Sequence, residues 1–274
     1  MGVSLAAQQQ EAPAPVAPKA PLVARPFSAQ PLQRYDVLDS PEAADKKTPD
    51  TSAVVGDEPK RGADRLVTFL CRLFAVEAGG RGQGYVRTLQ QGLLLARLPQ
   101  PQMDVFNSAY EQLKVEEPIH ARLQCSVLKL PAKVAAEHGV VPDKVVLVEQ
   151  DTVVALSRTA QGGGALLNLP ELELAPLWAA NVSGSVGKKE VQRYALRAEM
   201  VPVQADQVAL ALDLTRTAAP VAGAAKVGAV TLIAKTATFA KGQTWIACAV
   251  EGEQATLLVV RVGELANKPL VERR

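Results

Sequence analysis

Aromatic residues and histidine are scarce in this chain: nine rings of Phe and Tyr, two Trp and two His in 274 residues. Few rings leave few surfaces on which bases could stack, which argues against single-stranded nucleic acid as a partner. Charge of one sign is missing as well. The 30 basic and 28 acidic residues are interspersed and net to +2, so no electrostatic footprint for DNA or anionic lipid is visible. No run of about 18 apolar residues exists, which excludes a transmembrane helix. The three cysteines, Cys71, Cys125 and Cys248, are widely spaced and odd in number, so they spell neither a disulfide framework nor a CxxC metal knuckle. They are read as small buried hydrophobes, with one disulfide left open.

What the chain has is aliphatic: 48% hydrophobic residues against 21% charged, enough for about two modest cores. The opening MGVSLAAQQQ has no basic n-region or long h-region, though SLAAQQQ has the look of a signal-peptide tail. If a signal peptide has been lost, the expected location is periplasmic or outer-membrane-associated; otherwise it is cytoplasmic. Residues 1–31 include the Pro/Ala-rich run EAPAPVAPKAPLVARPFSAQP and are expected to be a disordered or extended leader without a core.

Residues 32–116 are expected to form a β-α-β-β-α module. LQRYDVLD, at 32–39, reads as a short strand, and 40–60 as a long loop. ADRLVTFLCRLF puts Leu66, Val67, Leu70, Leu73 and Phe74 at helical spacing, with Asp64 near the helix start. YVRTLQ and GLLLARL read as a hairpin turning at Gln91 and Gly92. Pro101 opens a second helix with Met103, Phe106, Tyr110 and Leu113 on one face.

Beyond Pro118 the period changes to two. IHARLQCSVLKL sets Ile119, Ala121, Leu123, Cys125 and Val127 on one face and His120, Arg122, Gln124 and Ser126 on a wet one. A short helix, PAKVAAEHG, a strand, KVVLVEQ, and a helix capped by Asp151 and stopped by Gly162 to Gly164 follow. The rest reads as a meander of six or seven antiparallel strands, the first interrupted at Pro170. Val208, Leu210, Leu212 and Leu214 alternate in it. Residues 117–266 are thus a mainly antiparallel β domain with two short helices, 267–274 a tail, and the fold class α+β.

None of the residue types that carry chemistry forms a recognisable constellation. His120 lies on a polar strand face and His138 at a helix C-terminus, where it complements the dipole. GGRGQG at 79–84 follows a helix and opens a strand, the reverse of a phosphate-binding loop, and Gly162 to Gly164 is a helix stop. Ser157 has no G-x-S-x-G elbow and no histidine placed beside it. Glu116 and Glu117 lie in a solvated linker, and Asn181-Val-Ser is an incidental sequon in a strand. No catalytic, cofactor-binding or metal-binding residue is assigned.

The order of elements, with RYDVLD at 34–39, ADRLVTFLCRLF at 63–74 and GLLLARLPQPQMDVFNSAYEQL at 92–113, resembles an N-domain of the bacterial secretin family. IHARLQCSVLKLPAKVAAEHGV, ALLNLPELELAPLWAANVSGSVG at 165–187 and YALRAEMVPVQADQVALALDL resemble successive parts of the secretin β domain, so the resemblance spans about residues 32–265. The chain departs from pore-forming secretins where ACAV runs through EGEQ into ATLLVVRV, without the segment rich in Pro, Gly and Phe that shapes the membrane-facing lip. Barrel strands of about 9 to 11 residues with aromatic girdles are also hard to supply from so few Trp and Tyr. The resemblance therefore implies a non-enzymatic cell-envelope protein of the type II or type III secretion class, without a membrane pore of its own. It would act by homo-oligomerisation or protein-protein interaction. A monomeric ligand- or peptide-binding module and an unrecognised hydrolase remain the alternatives.

Overall fold

A computed structural model describes residues 21–36, 61–76, 84–89, 92–187, 191–217 and 229–270. Its strands are β1 (Leu22–Ser28), β2 (Tyr85–Leu89), β3 (Leu93–Pro99), β4 (Ile119–Pro131), β5 (Val145–Val148), β6 (Ala165–Asn168), β7 (Leu172–Leu174), β8 (Ala180–Val186), β9 (Gln192–Gln204), β10 (Gln207–Thr217), β11 (Ala229–Ala240), β12 (Thr244–Glu251) and β13 (Gln254–Asn267). Its helices are α1 (Gly62–Phe74), α2 (Gln100–Lys114), α3 (Ala132–Glu137) and α4 (Gln150–Gly163). All strand pairings are antiparallel. The α+β class expected from the sequence is the one observed.

Five layers stack in order. A three-stranded sheet, β1-β3-β2, lies under α1 and α2; those helices rest on a four-stranded sheet, β11-β10-β9-β8. That sheet packs on a third, β5-β12-β13-β4-β6 with β7 also on β4, and α3 and α4 cover its far side. One hydrophobic cluster joins Leu66, Phe69, Leu70, Met103, Phe106 and Leu113 of the helices to Val201, Val203, Ala209 and Ala211 of the four-stranded sheet. A boundary at residue 116/117 therefore separates chain segments that share a core. Polar ties reinforce the contact: Arg72 pairs with Asp213 at 2.7 Å, Arg65 donates to the Leu177 carbonyl at 2.7 Å, and the Ser108 hydroxyl donates to the Val203 carbonyl.

Two readings of the N-terminal region are corrected. Residues 22–28, assigned to the leader, form β1, because Phe27 finds the rings of Phe106 and Tyr110 at centroid distances of 4.4 and 5.2 Å. Pro26 is tolerated there since β1 is an edge strand. Residues 1–20 lie outside the described residues. The expected strand at 32–39 is a 3-10 helix, Gln30–Tyr35, whose three-residue period turns Leu32 and Tyr35 inward together. The Tyr35 hydroxyl donates to the Leu113 carbonyl at 3.1 Å, and Arg34 donates to the carbonyls of Leu113 and Val115. Residues 37–39, and the expected loop at 40–60, lie outside the described residues.

Downstream, α1, the β2-β3 hairpin and α2 fall where the periodicity puts them. Gly92 takes a left-handed φ of 72° in the hairpin turn; Gln91 lies outside the described residues. The expected single meander is only half present: β8 to β11 form one, but β12 and β13 cross to pair with β5 and β4. Alternation marks which face of a strand is buried and is silent about which sheet receives it. Pro170 splits the first strand of the series into β6 and β7, both pairing with β4. Glu149, without a side-chain cap, is the N-cap of α4, and Asp151 lies in its first turn rather than capping it. Of the expected tail, Asn267 ends β13 and Leu270 packs on the first core; 271–274 lie outside the described residues.

Gly62 sits where α1 meets the 3-10 helix, and a Cβ there would lie 2.2 Å from the Leu32 carbonyl oxygen. Backbone cannot yield as a side chain can. Gly62→Ala is predicted to destabilise the protein by about 2 kcal/mol in urea unfolding, although alanine favours helix, whereas the exposed Leu93→Ala should stay within about 0.5 kcal/mol.

Candidate interaction site

The structure keeps the residues singled out for chemistry apart. His120 and His138 lie towards opposite ends of β4, the first half-buried and the second exposed just after α3. Ser157 is half-buried in α4, on the other side of the molecule's third sheet from the first core. Glu116 and Glu117 are exposed in the α2-β4 turn, and Asn181 is exposed on β8. Among the described residues no group of three His, Cys, Asp or Glu side chains converges as a metal site would require.

Residues 79–83 of the first glycine run lie outside the described residues, and Gly84 opens β2. In the second run only Gly164 is confined. A Cβ there would come within 1.9 Å of the Lys129 carbonyl oxygen, because the chain leaving α4 folds straight back onto β4. That is a packing reason for the glycine.

All three cysteines are free thiols. Cys125 faces the core between the two larger sheets and Cys248 faces the core under α3 and α4, so they cannot meet. Burial pushes the Cys125 thiol up to about 12 and raises those of Cys71 and Cys248. The open question of a disulfide closes on geometry.

The wet face of β4 expected from the sequence is real. His120, Arg122, Gln124 and Ser126 point away from the sheet-sheet core, on the side that α3 and α4 cover only near Leu128 and Leu130. Across the sheet Gln124 stands beside Arg261 and then Thr244, while Ser126 bonds Asn168 at 2.8 Å. With Gln150 and Val153 of α4 and Glu171, these residues line a cleft of about 310 Å³. It offers amides, hydroxyls, one guanidinium and the Glu171 carboxylate, enough to hold a polar group, and it contains no histidine to activate Ser126. Arg261, Thr244, Asn168 and Gln150 were not singled out from the sequence. The available signal was Arg261, a charge interrupting the apolar run LLVVRV.

At the end of this face the Lys268 ammonium donates to Glu173, and His120 lies beside the pair. Burial lowers the His120 pKa, Glu173 works against that, and Lys268 adds to it.

The edges of the sheets complete the inventory. β8 and β11 bound the four-stranded sheet, with seven and twelve residues and, between them, a single charged side chain, Lys235. The third sheet ends in the four-residue strands β5 and β6.

No family model matches the chain, and no curated protein sequence does. Among solved structures, it is similar to the secretin InvG of the Salmonella SPI-1 type III secretion injectisome in two forms. The open-gate structure shows 12% identity over 70% of this chain and 72% of that one, with a TM-score of 0.21; the InvG secretin-domain β-barrel shows 11% over 93% and 90%, with a TM-score of 0.24. A third is the type II secretion outer membrane complex of Klebsiella pneumoniae, containing PulD, PulS and the PulC HR domain. It shows 11% identity over 91% of this chain and 64% of that one, with a TM-score of 0.25. TM-scores this low do not establish a common overall fold. No helix among the described residues is long and apolar enough to cross a membrane.

Two outcomes follow from these environments. A histidine with a depressed pKa supports stability above its unfolded value of about 6.5, and that support is lost as pH falls through the folded value. The protein should therefore lose stability between about pH 7 and 5 more steeply than His120→Gln, as thermal melts across that range would show. Native thiol titration should leave Cys125 and Cys248 unmodified until denaturant is added, while rapid labelling of all three would contradict the burial.

Proposed function

We propose that the chain is a non-enzymatic, secretin-like cell-envelope protein that works by self-association or by binding other proteins, and that it makes no membrane pore of its own. The observation that carries the reading is the pair of long, almost uncharged edges, β8 and β11, at the two sides of one sheet. Sheets that must remain alone shorten, charge or bulge their edges; these present unpaired backbone donors and acceptors that another strand can satisfy. A register shift between Leu214 and Thr215 twists the far end of β11, leaving the rest of that edge regular.

Burial of the same sheet on both faces supports the absence of a pore. A membrane-spanning strand needs an apolar row facing lipid, and the apolar rows of β9 and β10 face a second sheet on one side and two helices on the other. The family resemblance of residues 32–265, together with the recurrence of β-strand, helix, hairpin and helix in the first module, supplies the secretin-like and envelope parts of the reading.

The cleft at Gln124, Thr244 and Arg261 favours a second reading, a monomeric module that binds a small polar ligand or a peptide. Size-exclusion chromatography with light scattering on the full chain separates the two. Assembly predicts a discrete mass above the 29.0 kDa monomer, with no dye release from phosphatidylcholine-phosphatidylglycerol vesicles. A strict monomer at high protein concentration, or vesicle leakage, would contradict it.

A further inference from the structure

The three-stranded sheet has one face that no described element covers. Helices α1 and α2 both pack on the side carrying Val86, Leu94, Ala96 and Leu98. The period of two then turns Leu89, Leu93 and Leu95 outward, Leu93, at the start of the central strand β3, being 39% exposed. Two charges share this outer face, and both are cationic: Arg87 lies opposite Leu95, and Arg97 opposite Tyr85. The Arg87 guanidinium stands over the Tyr85 ring, 5.1 Å from its centre, so it is held close to the face. The outward positions of β1, which are Leu22, Ala24, Pro26 and Ser28, add no charge, and no carboxylate occurs on any of the three strands.

We propose that this face docks an acidic amphipathic helix of a partner protein. Three strands measure about 10 Å between the outer two, the diameter of one helix rather than the width of another sheet. β3 has seven residues, about 23 Å, which matches a helix of about 15 residues. Leu95, with Leu93 and Leu89 next to it towards the hairpin turn, supplies the apolar contact. Arg87 and Arg97, diagonal neighbours beside those leucines towards the Tyr85 end, call for carboxylates, and a second copy of this chain stacked face to face would bring none to meet them. The inference rests on the reading of the chain as an interaction protein, but it concerns a sheet face and not the edges through which copies would join. The two can therefore fail separately.

The test uses the full chain and a display library of helical peptides of about 15 residues, with leucine fixed at heptad a and d positions and the flanking positions randomised among Glu, Gln and Lys. Selection should enrich Glu over Lys about tenfold, and the selected peptides should bind the R87E/R97E double variant and Leu95→Asp at least about tenfold more weakly. The two arginines are exposed, so the double variant should keep the thermal melt and the light-scattering mass of the parent, which keeps folding and assembly separate from docking. The proposal is overturned by enrichment of Lys, by no enrichment, or by peptides that bind the double variant as well as the parent. Binding of the parent chain to phosphatidylglycerol vesicles that the double variant loses, with no peptide selected, would assign the face to a membrane surface and overturn it as well.

Discussion

The fold depends on one sheet having two apolar faces. In β10, Val208, Leu210 and Leu212 point into the core shared with the third sheet, while Ala209 and Ala211 between them point into the core shared with α1 and α2. Alanine matters on that second face because it lets a helix axis approach the strands closely, so larger residues such as Phe69, Met103 and Phe106 can fill the space above. β9 makes the same division, with Leu196, Ala198 and Met200 on one side and Val201 and Val203 taking over the other near its end. Without that sheet in the middle, the N-terminal helices and the strands after residue 117 would have no common interior.

The central position of this sheet also decides where function can lie. Its two faces are spent on packing, so its edges are the parts left to meet another chain, and the polar groups of the molecule are pushed outward to the far side of the third sheet. There the row from His120 to Ser126 meets Arg261, Thr244 and Asn168 in a shallow cleft, and at the opposite pole the β1-β3-β2 face carries leucines beside two arginines. Both surfaces suit binding. Neither brings a nucleophile and a base together, which is why the chemistry-bearing residues read as scattered both in the chain and in space.

Much of this was legible in the chain. The helices around Leu66 to Phe74 and Met103 to Leu113 follow from apolar spacing near 3.6, and the wet face of β4 from spacing of two. What escaped was long-range. Strand-like residues at 32–39 became a 3-10 helix because Leu32 and Tyr35 are drawn into a core formed by residues far along the chain, and a Pro-rich stretch became β1 because Phe27 meets Phe106. The division of the strand series between two sheets depends on pairings such as β13 with β4, more than a hundred residues apart, which local periodicity does not encode. One clue was present and unused: alanines alternating with leucines in VALAL mark a second buried face, where a solvent-facing strand would carry polar residues. The cleft was missed for a related reason, since its residues come from five elements and only Arg261 stands out in its own segment.

Hydrogen exchange on the intact chain bears on the shared core more directly than any single substitution. If the N-terminal helices and the four-stranded sheet form one cooperative unit, backbone amides of α1 and α2 will exchange with the same high protection as those at the centres of β9 and β10, and will lose it together as denaturant is added. Helix amides that exchange orders of magnitude faster than those strands, with their own denaturant dependence, would show two separately stable bodies and contradict it.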